Sequence, residues 1–209
     1  LRNLQVRKNL HPSLSHHVLH YLLRNNFINS IITQNIDSLH NFAGDDDKVI
    51  ELHGVVNNQA LSEKCNKVLE VSHAQFERIL QTKKIDSEVE LPHCPVCNSI
   101  LKPLVAFFGD AIDERLKTKA QSFLNFSNVV ILVGTHCSVD PVCSLVAQAK
   151  RTGTILVELN KTQTPASSFV DVSILMECDQ VFKEVGKKLL NNIIDVEHIN
   201  LEKWETNRF

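Results

Sequence analysis

Short apolar segments rich in β-branched residues alternate with amphipathic helical patterns along most of this chain. The apolar segments are FINSIIT (27–33), VVILVG (129–134), TILVEL (154–159) and VDVSILM (170–176). The helical patterns cover HPSLSHHVLHYLLRNN (11–26), residues 141–151 and residues 179–192. Because helical crossovers connect parallel strands, this alternation predicts an α/β fold, a doubly wound, Rossmann-like parallel sheet with helices on both faces.

The segment from residue 55 to residue 101 breaks this rhythm, because it is polar and carries Cys65, Cys94 and Cys97. One helix is expected within it, around residues 74–81. We therefore predict a Rossmann-like domain of residues 1–54 and 102–195, interrupted by a small zinc-ribbon-like module at 55–101. Residues 196–209 are charged and are expected to form a polar C-terminal tail.

Charge and hydropathy argue against several classes of function. With 24 acidic and 22 basic residues the formal net charge is −2, so direct binding to nucleic acid is not expected. No apolar run approaches the roughly 20 residues that span a bilayer, and the N-terminus lacks the apolar core of a secretory signal. The six cysteines are then expected to be thiols or metal ligands in a reducing, intracellular compartment.

Polar side chains follow three of the predicted strands, where open α/β sheets bind their ligands. They are Gln34, Asn35 and Asp37 after the first segment, Gly134, Thr135 and His136 after the second, and Asn160 after the third. An amide and a carboxylate two residues apart can hydrogen-bond both the N–H and the C=O of a small carboxamide. The alternative is an Asx turn at the strand end, which Asn and Asp favour.

His53 follows the short apolar segment 49–52 and directly precedes Gly54. A neutral imidazole at the end of a strand can act as a general base near neutral pH. The alternative is a hydrogen-bonded structural histidine, which is common in a chain with ten histidines.

Taken together, TQNIDSLHNFAG and the following ELHG resemble the sirtuin family of NAD-dependent protein deacylases. The resemblance continues through HCPVCNSILKPLVAFFGD, LVGTHCSVDPV and LVELNK, and it covers about residues 11–190. It implies a reaction in which NAD loses nicotinamide and the acyl group of an acyl-lysine protein or peptide is transferred to ADP-ribose. Neither a nucleic-acid nor a membrane partner is implied.

The resemblance assigns roles to particular residues. It implies that Asn35 and Asp37, with Ile36 between them, hold the nicotinamide carboxamide, that Gln34 lies near the ribose, and that His53 is the general base, with Asn35 also catalytic. The remaining NAD contacts that it implies are Gly134, Thr135, His136, Asn160, Lys161, Thr162 and Cys178. The substrate segment that it implies is Val105, Ala106, Phe107, Phe108 and Gly109, an edge to which an extended peptide adds as a strand.

Cys94 and Cys97 form a C-x-x-C pair, a spacing suited to one tetrahedral zinc ion. The family has a second such pair, but here only Cys65 is present, and the counterpart of the missing cysteine is Ser62 or Val68. Neither is a good zinc ligand, and His73 or His93 is an alternative fourth ligand. Cys137 and Cys143 with His136 are a further candidate metal group, although thiols in an apolar strand–helix unit are usually buried core.

Two features depart from the family pattern. Its first strand, Gly-Ala-Gly phosphate loop and Arg-bearing segment would precede Leu1, so the chain is a fragment, or completes its fold differently, or is not catalytic. His136 stands where family members usually carry serine. The alternatives to a deacylase are therefore a non-catalytic module that binds acyl-peptides or partners, and a protein ADP-ribosyltransferase.

Overall fold

The structure, a computed structural model, describes residues 10–42, 47–55, 59–71, 91–107 and 109–189. The expected helix at 74–81, His73, Phe108 and the tail at 196–209 lie outside these residues. The described part divides into two compact units, one formed by residues 10–11 and 30–120 and the other by residues 12–29 and 121–189.

The first unit contains a parallel pair of strands, β1 (Ile31–Thr33) and β2 (Val49–Glu51). Their register places Thr33 opposite Glu51, so both strands end at the same edge. Apolar β-branched residues favour this short extended segment, and β1 ends at Thr33, as predicted. Both chain segments then lead into polar residues at that shared edge.

The cysteine-containing region of the first unit is a three-stranded antiparallel sheet. Its strands are β3 (Gln59–Ser62), β4 (Lys67–Glu70) and β5 (Lys102–Pro103), in the order β4-β3-β5. Ala60, Val71, Cys94 and Leu101 form its buried core. Strand β5 lies just beyond residue 101, and the domain boundary at that residue stays a prediction.

The second unit is built on a parallel sheet in the order β6-β7-β8. Its strands are β6 (Val129–Val133), β7 (Ile155–Asn160) and β8 (Val172–Leu175). The helices are α1 (Leu14–Arg24), α2 (Glu114–Asn125), which crosses the boundary between the units, α3 (Val142–Arg151) and α4 (Cys178–Leu189). The predicted alternation of strands and helices, and the parallel pairing, are confirmed in this unit.

Two groups of buried side chains hold the second unit together. Leu132, Val146 and Leu156 belong to one of them, in which α3 packs against the sheet. Leu22 and Phe182 belong to the other, in which α1 and α4 pack together. None of the helices in the described ranges combines the length and apolar composition of a bilayer-spanning segment.

Candidate functional site

The loop after β1 contacts the residues after β2. The backbone N–H of Leu52 donates to the Thr33 carbonyl at 2.9 Å, which continues the parallel ladder past the end of the strands. The next residue, His53, places its ring Nδ1 3.0 Å from the Gln34 carbonyl oxygen. Because a carbonyl oxygen only accepts, Nδ1 carries the proton in this contact, and Nε2 of the neutral ring is left as the basic nitrogen.

The loop itself is shaped by local hydrogen bonds. The Asn35 N–H donates to Thr33 Oγ1 at 3.1 Å, and the Leu39 N–H donates to Asp37 Oδ1 at 3.0 Å. The second bond is the Asx turn that the sequence left as an alternative. It orients the Asp37 carboxyl group without using both oxygens, so the turn and a ligand contact are compatible. Asn35 is exposed, whereas Gln34, Ile36 and Asp37 are half-buried.

The backbone of His53 and Gly54 pairs with the predicted substrate segment. The Ala106 N–H donates to the His53 carbonyl at 2.9 Å, and Gly54 and Val105 form an antiparallel bridge. Gly54 has φ +74°, and an added Cβ would lie 2.2 Å from the Leu104 carbonyl oxygen, so only glycine fits this approach.

Beyond this pairing the predicted substrate segment turns toward solvent. Phe107 is 54% exposed, and Gly109, at φ +93°, is also exposed. The Asp110 carboxylate accepts from the Phe107 N–H at 2.8 Å and pairs with Lys102 Nζ at 2.9 Å. Lys102, followed by the Phe107 N–H, lowers the pKa of Asp110, so this carboxylate stays ionised and fixes the turn.

In the second unit, the loop after β6 carries the next group of predicted residues. Gly134, at φ +59°, donates its N–H to the Leu159 carbonyl at 2.9 Å. The Asn160 side-chain amide donates to the Thr135 carbonyl at 3.1 Å, which joins the ends of β6 and β7. Gly134 and His136 are exposed, so the structure brings Gly134, Thr135 and Asn160 together at an accessible strand end.

The other predicted nucleotide residues follow β7 and β8. Lys161 donates its backbone N–H to Asn160 Oδ1 at 2.9 Å and pairs through Nζ with Glu177 at 2.5 Å. Thr162 is exposed beside it, and Cys178 is the half-buried first residue of α4. The ion pair thus links the chain after β7 to the start of α4.

Sequence reasoning missed Glu158, which is fully buried in the middle of β7. Its carboxylate accepts hydrogen bonds from the hydroxyls of Thr164, Ser167 and Ser173. Burial alone would raise the pKa of Glu158, but these hydrogen bonds hold it below its ordinary value. The available signal was a lone carboxylate inside the apolar run TILVEL.

The three cysteines predicted as metal ligands lie together in the first unit. Their Sγ atoms are all within 4.8 Å of one another, and no other group in the described part of the chain has this spacing. Cys65 and Cys94 are 3.6 Å apart, close to the edge of about 3.8 Å in a tetrahedron of zinc–sulfur bonds of about 2.3 Å. The donor set therefore fits a zinc ion.

The alternative metal group at Cys137 and Cys143 does not share this arrangement. Cys137 is buried in the apolar core, and burial raises the pKa of its thiol to about 11. A thiol that resists ionisation is a poor metal ligand. All six cysteines are free thiols.

Comparison with known proteins adds a family match. The family model described as the Sir2 family matches residues 1–141. An NAD-dependent protein deacetylase of Thermodesulfovibrio yellowstonii is 32% identical over 196 residues, which are 94% of this chain and 69% of the relative.

Solved structures agree with the family match. A Sir2 with a p53 peptide and NAD+ is similar with a TM-score of 0.75 and 28% identity, over 87% of this chain and 72% of that one. Sir2Tm bound to a propionylated peptide is similar with a TM-score of 0.73 and 29% identity, over 85% of this chain and 70% of that one.

Proposed function

The chain belongs to the Sir2 family, and from that membership we propose that it is an NAD-dependent protein lysine deacylase in which His53 is the general base. The resemblance noted in the sequence is confirmed by the family match. The roles of individual residues are part of the proposal.

The contact between His53 Nδ1 and the Gln34 carbonyl carries the proposal. It supports a fixed tautomer in which Nε2 is unprotonated and available to accept a proton. The same contact holds the imidazole against the loop that carries Asn35 and Asp37. A histidine that served structure alone would not require a polar loop of this composition beside it.

The chemistry follows from these neighbours. Asn35 and Asp37 hold the carboxamide of nicotinamide, with an amide donor for its C=O and a carboxylate acceptor for its N–H. As nicotinamide leaves, the acyl oxygen of the substrate lysine attacks C1′ of the ribose. His53 Nε2 takes a proton from a ribose hydroxyl, and that oxygen attacks the acyl carbon. Water then completes the release of free lysine and O-acyl-ADP-ribose.

The substrate peptide is proposed to lie along residues 105–109. The His53 carbonyl accepts from the Ala106 N–H, so the base and the peptide-binding segment share one hydrogen-bonded strip of backbone. Main-chain pairing tolerates varied peptide sequences. The exposed Phe107 ring then contacts the acyl-lysine chain.

In the second unit, Gly134, Thr135, His136 and Asn160 are proposed to contact the dinucleotide, and Lys161, Thr162 and Cys178 its adenosine end. The exposure of Gly134 and His136 beside the Asn160–Thr135 hydrogen bond supports this, because ligands of open α/β sheets bind at the carboxyl ends of the strands. A zinc ion held by Cys65, Cys94 and Cys97 would crosslink the two loops that carry them. An intracellular location is supported by six free thiols.

The test measures nicotinamide release from NAD with an acyl-lysine peptide in full-length protein. His53→Ala should lower turnover by about 10²–10⁴-fold, and His11→Ala, which removes an imidazole from an exposed position, should leave it unchanged. Undiminished turnover in His53→Ala would refute the assignment of the base. Peptide binding without turnover in the unsubstituted protein would favour a non-catalytic module, and ADP-ribose found on protein would favour a transferase.

A further inference from the structure

Two loops of the antiparallel sheet each carry a pair of serine or cysteine side chains three residues apart. Ser62 ends β3 and Cys65 lies three residues later, in the turn before β4. Cys94 and Cys97 have the same separation in the second loop, which the His93–Ile100 bridge closes. Serine has the shape of cysteine with oxygen in place of sulfur, so the first loop retains the form of a C-x-x-C pair.

The Ser62 hydroxyl lies against the cysteine cluster. Its Oγ is 3.1 Å from Cys65 Sγ and 3.2 Å from Cys97 Sγ. One oxygen thus faces two of the three sulfurs, and the third, Cys94 Sγ, lies 3.6 Å from Cys65 Sγ. The Ser62 side chain is fully buried.

These distances suit an oxygen at the fourth corner of a tetrahedron. Zinc bonds of about 2.3 Å to sulfur and about 2.1 Å to oxygen give a sulfur–oxygen edge of about 3.6 Å. The two oxygen–sulfur distances, 3.1 and 3.2 Å, are shorter than this edge by about half an ångström. A small outward shift of the Ser62 rotamer or of the loops brings all four atoms to bonding positions.

The other candidates for the fourth corner fit less well. Val68 is 51% exposed. It pairs across the sheet with Leu61, whereas the side chain at the cluster belongs to the next residue of β3, Ser62. His93 is exposed. Among the described residues, the side chains close enough to share one metal ion are Cys65, Cys94 and Cys97, without His93. The Ser99 hydroxyl lies 3.2 Å from Cys97 Sγ and 2.9 Å from Ser62 Oγ. Of the three sulfurs, it therefore hydrogen-bonds that of Cys97 and not those of Cys65 and Cys94.

We propose that Ser62 is the fourth ligand of a Cys3Ser zinc centre, completing the site through its hydroxyl oxygen. Three thiolates on Zn2+ give the centre a net charge of −1, whereas four would give −2. A neutral hydroxyl is a weaker donor to zinc than a thiolate, so the centre holds its metal less tightly than a four-cysteine site would. This inference concerns metal binding and is independent of the deacylase chemistry.

Titration of the metal-free full chain with cobalt, followed by zinc competition, tests the assignment. Ser62→Cys should tighten zinc binding by at least about tenfold. The unsubstituted protein has three thiolate ligands and Ser62→Cys has four, so the sulfur-to-cobalt charge-transfer band of the unsubstituted protein should have about three quarters of the intensity seen in Ser62→Cys. Ser62→Ala should weaken zinc binding by about tenfold and change the visible cobalt bands. Ser99→Cys places a thiol at the neighbouring hydroxyl position and should raise zinc affinity less than Ser62→Cys does.

Several outcomes would overturn the assignment. Ser62→Ala with the affinity and cobalt spectrum of the unsubstituted protein would show that the hydroxyl is not a ligand. A gain in Ser99→Cys equal to that in Ser62→Cys would place the fourth corner elsewhere, as would equal charge-transfer intensity in the unsubstituted protein and Ser62→Cys. Metal binding by Ser62→Cys alone would also contradict it. Matching far-ultraviolet circular dichroism establishes that all variants are folded.

Discussion

Replacement of Glu158 is expected to destabilise the second unit strongly. Its buried carboxylate accepts three hydroxyl hydrogen bonds, of which those from Ser167 and Ser173 measure 2.5 and 2.7 Å. The third donor, Thr164, is itself buried and accepts from the Ala166 N–H at 3.1 Å, which begins the short 3-10 helix Pro165–Ser168. Glu158 therefore fixes the chain segment that follows Asn160.

The magnitude follows from what each substitution leaves behind. Glu158→Ala removes one methylene and the carboxylate, and it leaves the buried Thr164 hydroxyl without its acceptor, whereas Ser167 and Ser173 can turn to water. These losses together cost about 3 kcal/mol of unfolding free energy. Glu158→Gln keeps the shape but only one acceptor oxygen, so it loses the charge assistance and places an NH2 donor against hydroxyls that have to turn to accept, which costs about 1–2 kcal/mol.

Urea denaturation followed by circular dichroism measures these differences. The pKa of Glu158 is lowered in the folded protein, so the carboxylate stabilises the fold above the ordinary value of 4.5 and this stabilisation is lost as pH falls through the folded pKa. The gap between the unsubstituted protein and Glu158→Gln should therefore stay constant above about pH 5.5 and narrow as the pH falls below 4.5.

Glu177→Gln is the matched control, because Glu177 pairs with Lys161 at the exposed surface. It should change the free energy of unfolding by less than about 1 kcal/mol. A Glu158→Ala variant as stable as this control would refute the reasoning, and so would a gap to Glu158→Gln that widens in acid.

Two further predictions concern backbone fit and thiol reactivity. Gly54→Ala places a Cβ 2.2 Å from the Leu104 carbonyl oxygen and should lower the free energy of unfolding by more than about 2 kcal/mol in urea denaturation. Gly153→Ala, which has open space at φ +90°, should lower it by about 1–2 kcal/mol. Equal losses in the two variants would contradict the close approach at Gly54. In metal-free protein at neutral pH, iodoacetamide should alkylate Cys97 faster than Cys137. Hydrogen bonds from Ser62 and Ser99 lower the pKa of Cys97 to about 6, whereas burial raises the pKa of Cys137 to about 11. Mass spectrometry of the peptides reads the order, and faster modification of Cys137 would refute it.

Much of the fold was predictable because its strands are short, apolar and β-branched. The end of β1 at Thr33 follows from the change from isoleucine to amide and carboxylate side chains, which a buried strand accommodates only where hydrogen-bond partners surround them. The parallel pairing in the second unit follows from the helices between its strands.

Contacts between residues distant in sequence were not predictable in the same way. The hydroxyls around Glu158 come from two later segments, Thr164 and Ser167 at the 3-10 helix and Ser173 in β8, and a periodicity that marks β7 as apolar gives its carboxylate no partner. Asp179 accepts from the Ser15 N–H at 2.9 Å, which joins the starts of α4 and α1 across 164 residues. No local pattern relates two helix starts so far apart.

The fourth corner of the cysteine cluster shows how one register settles an ambiguity. Sequence spacing leaves Ser62 and Val68 equivalent, since each lies three residues from Cys65. Pairing of Leu61 with Val68 fixes β3 against β4 and leaves Val68 half exposed, while Ser62 is fully buried beside the thiols. Sheet register is a tertiary property, so only the structure separates the two.

The central claim is that His53, Asn35 and Asp37 serve one reaction, the coupled cleavage of NAD and an acyl-lysine bond. Mass spectrometry of the products from the full-length protein, NAD and an acyl-lysine peptide tests it most directly. The account predicts equal amounts of nicotinamide, deacylated peptide and O-acyl-ADP-ribose, all lost together in His53→Ala. Free carboxylic acid and intact NAD beside the deacylated peptide would contradict it, because the acyl group would then have passed to water without the dinucleotide.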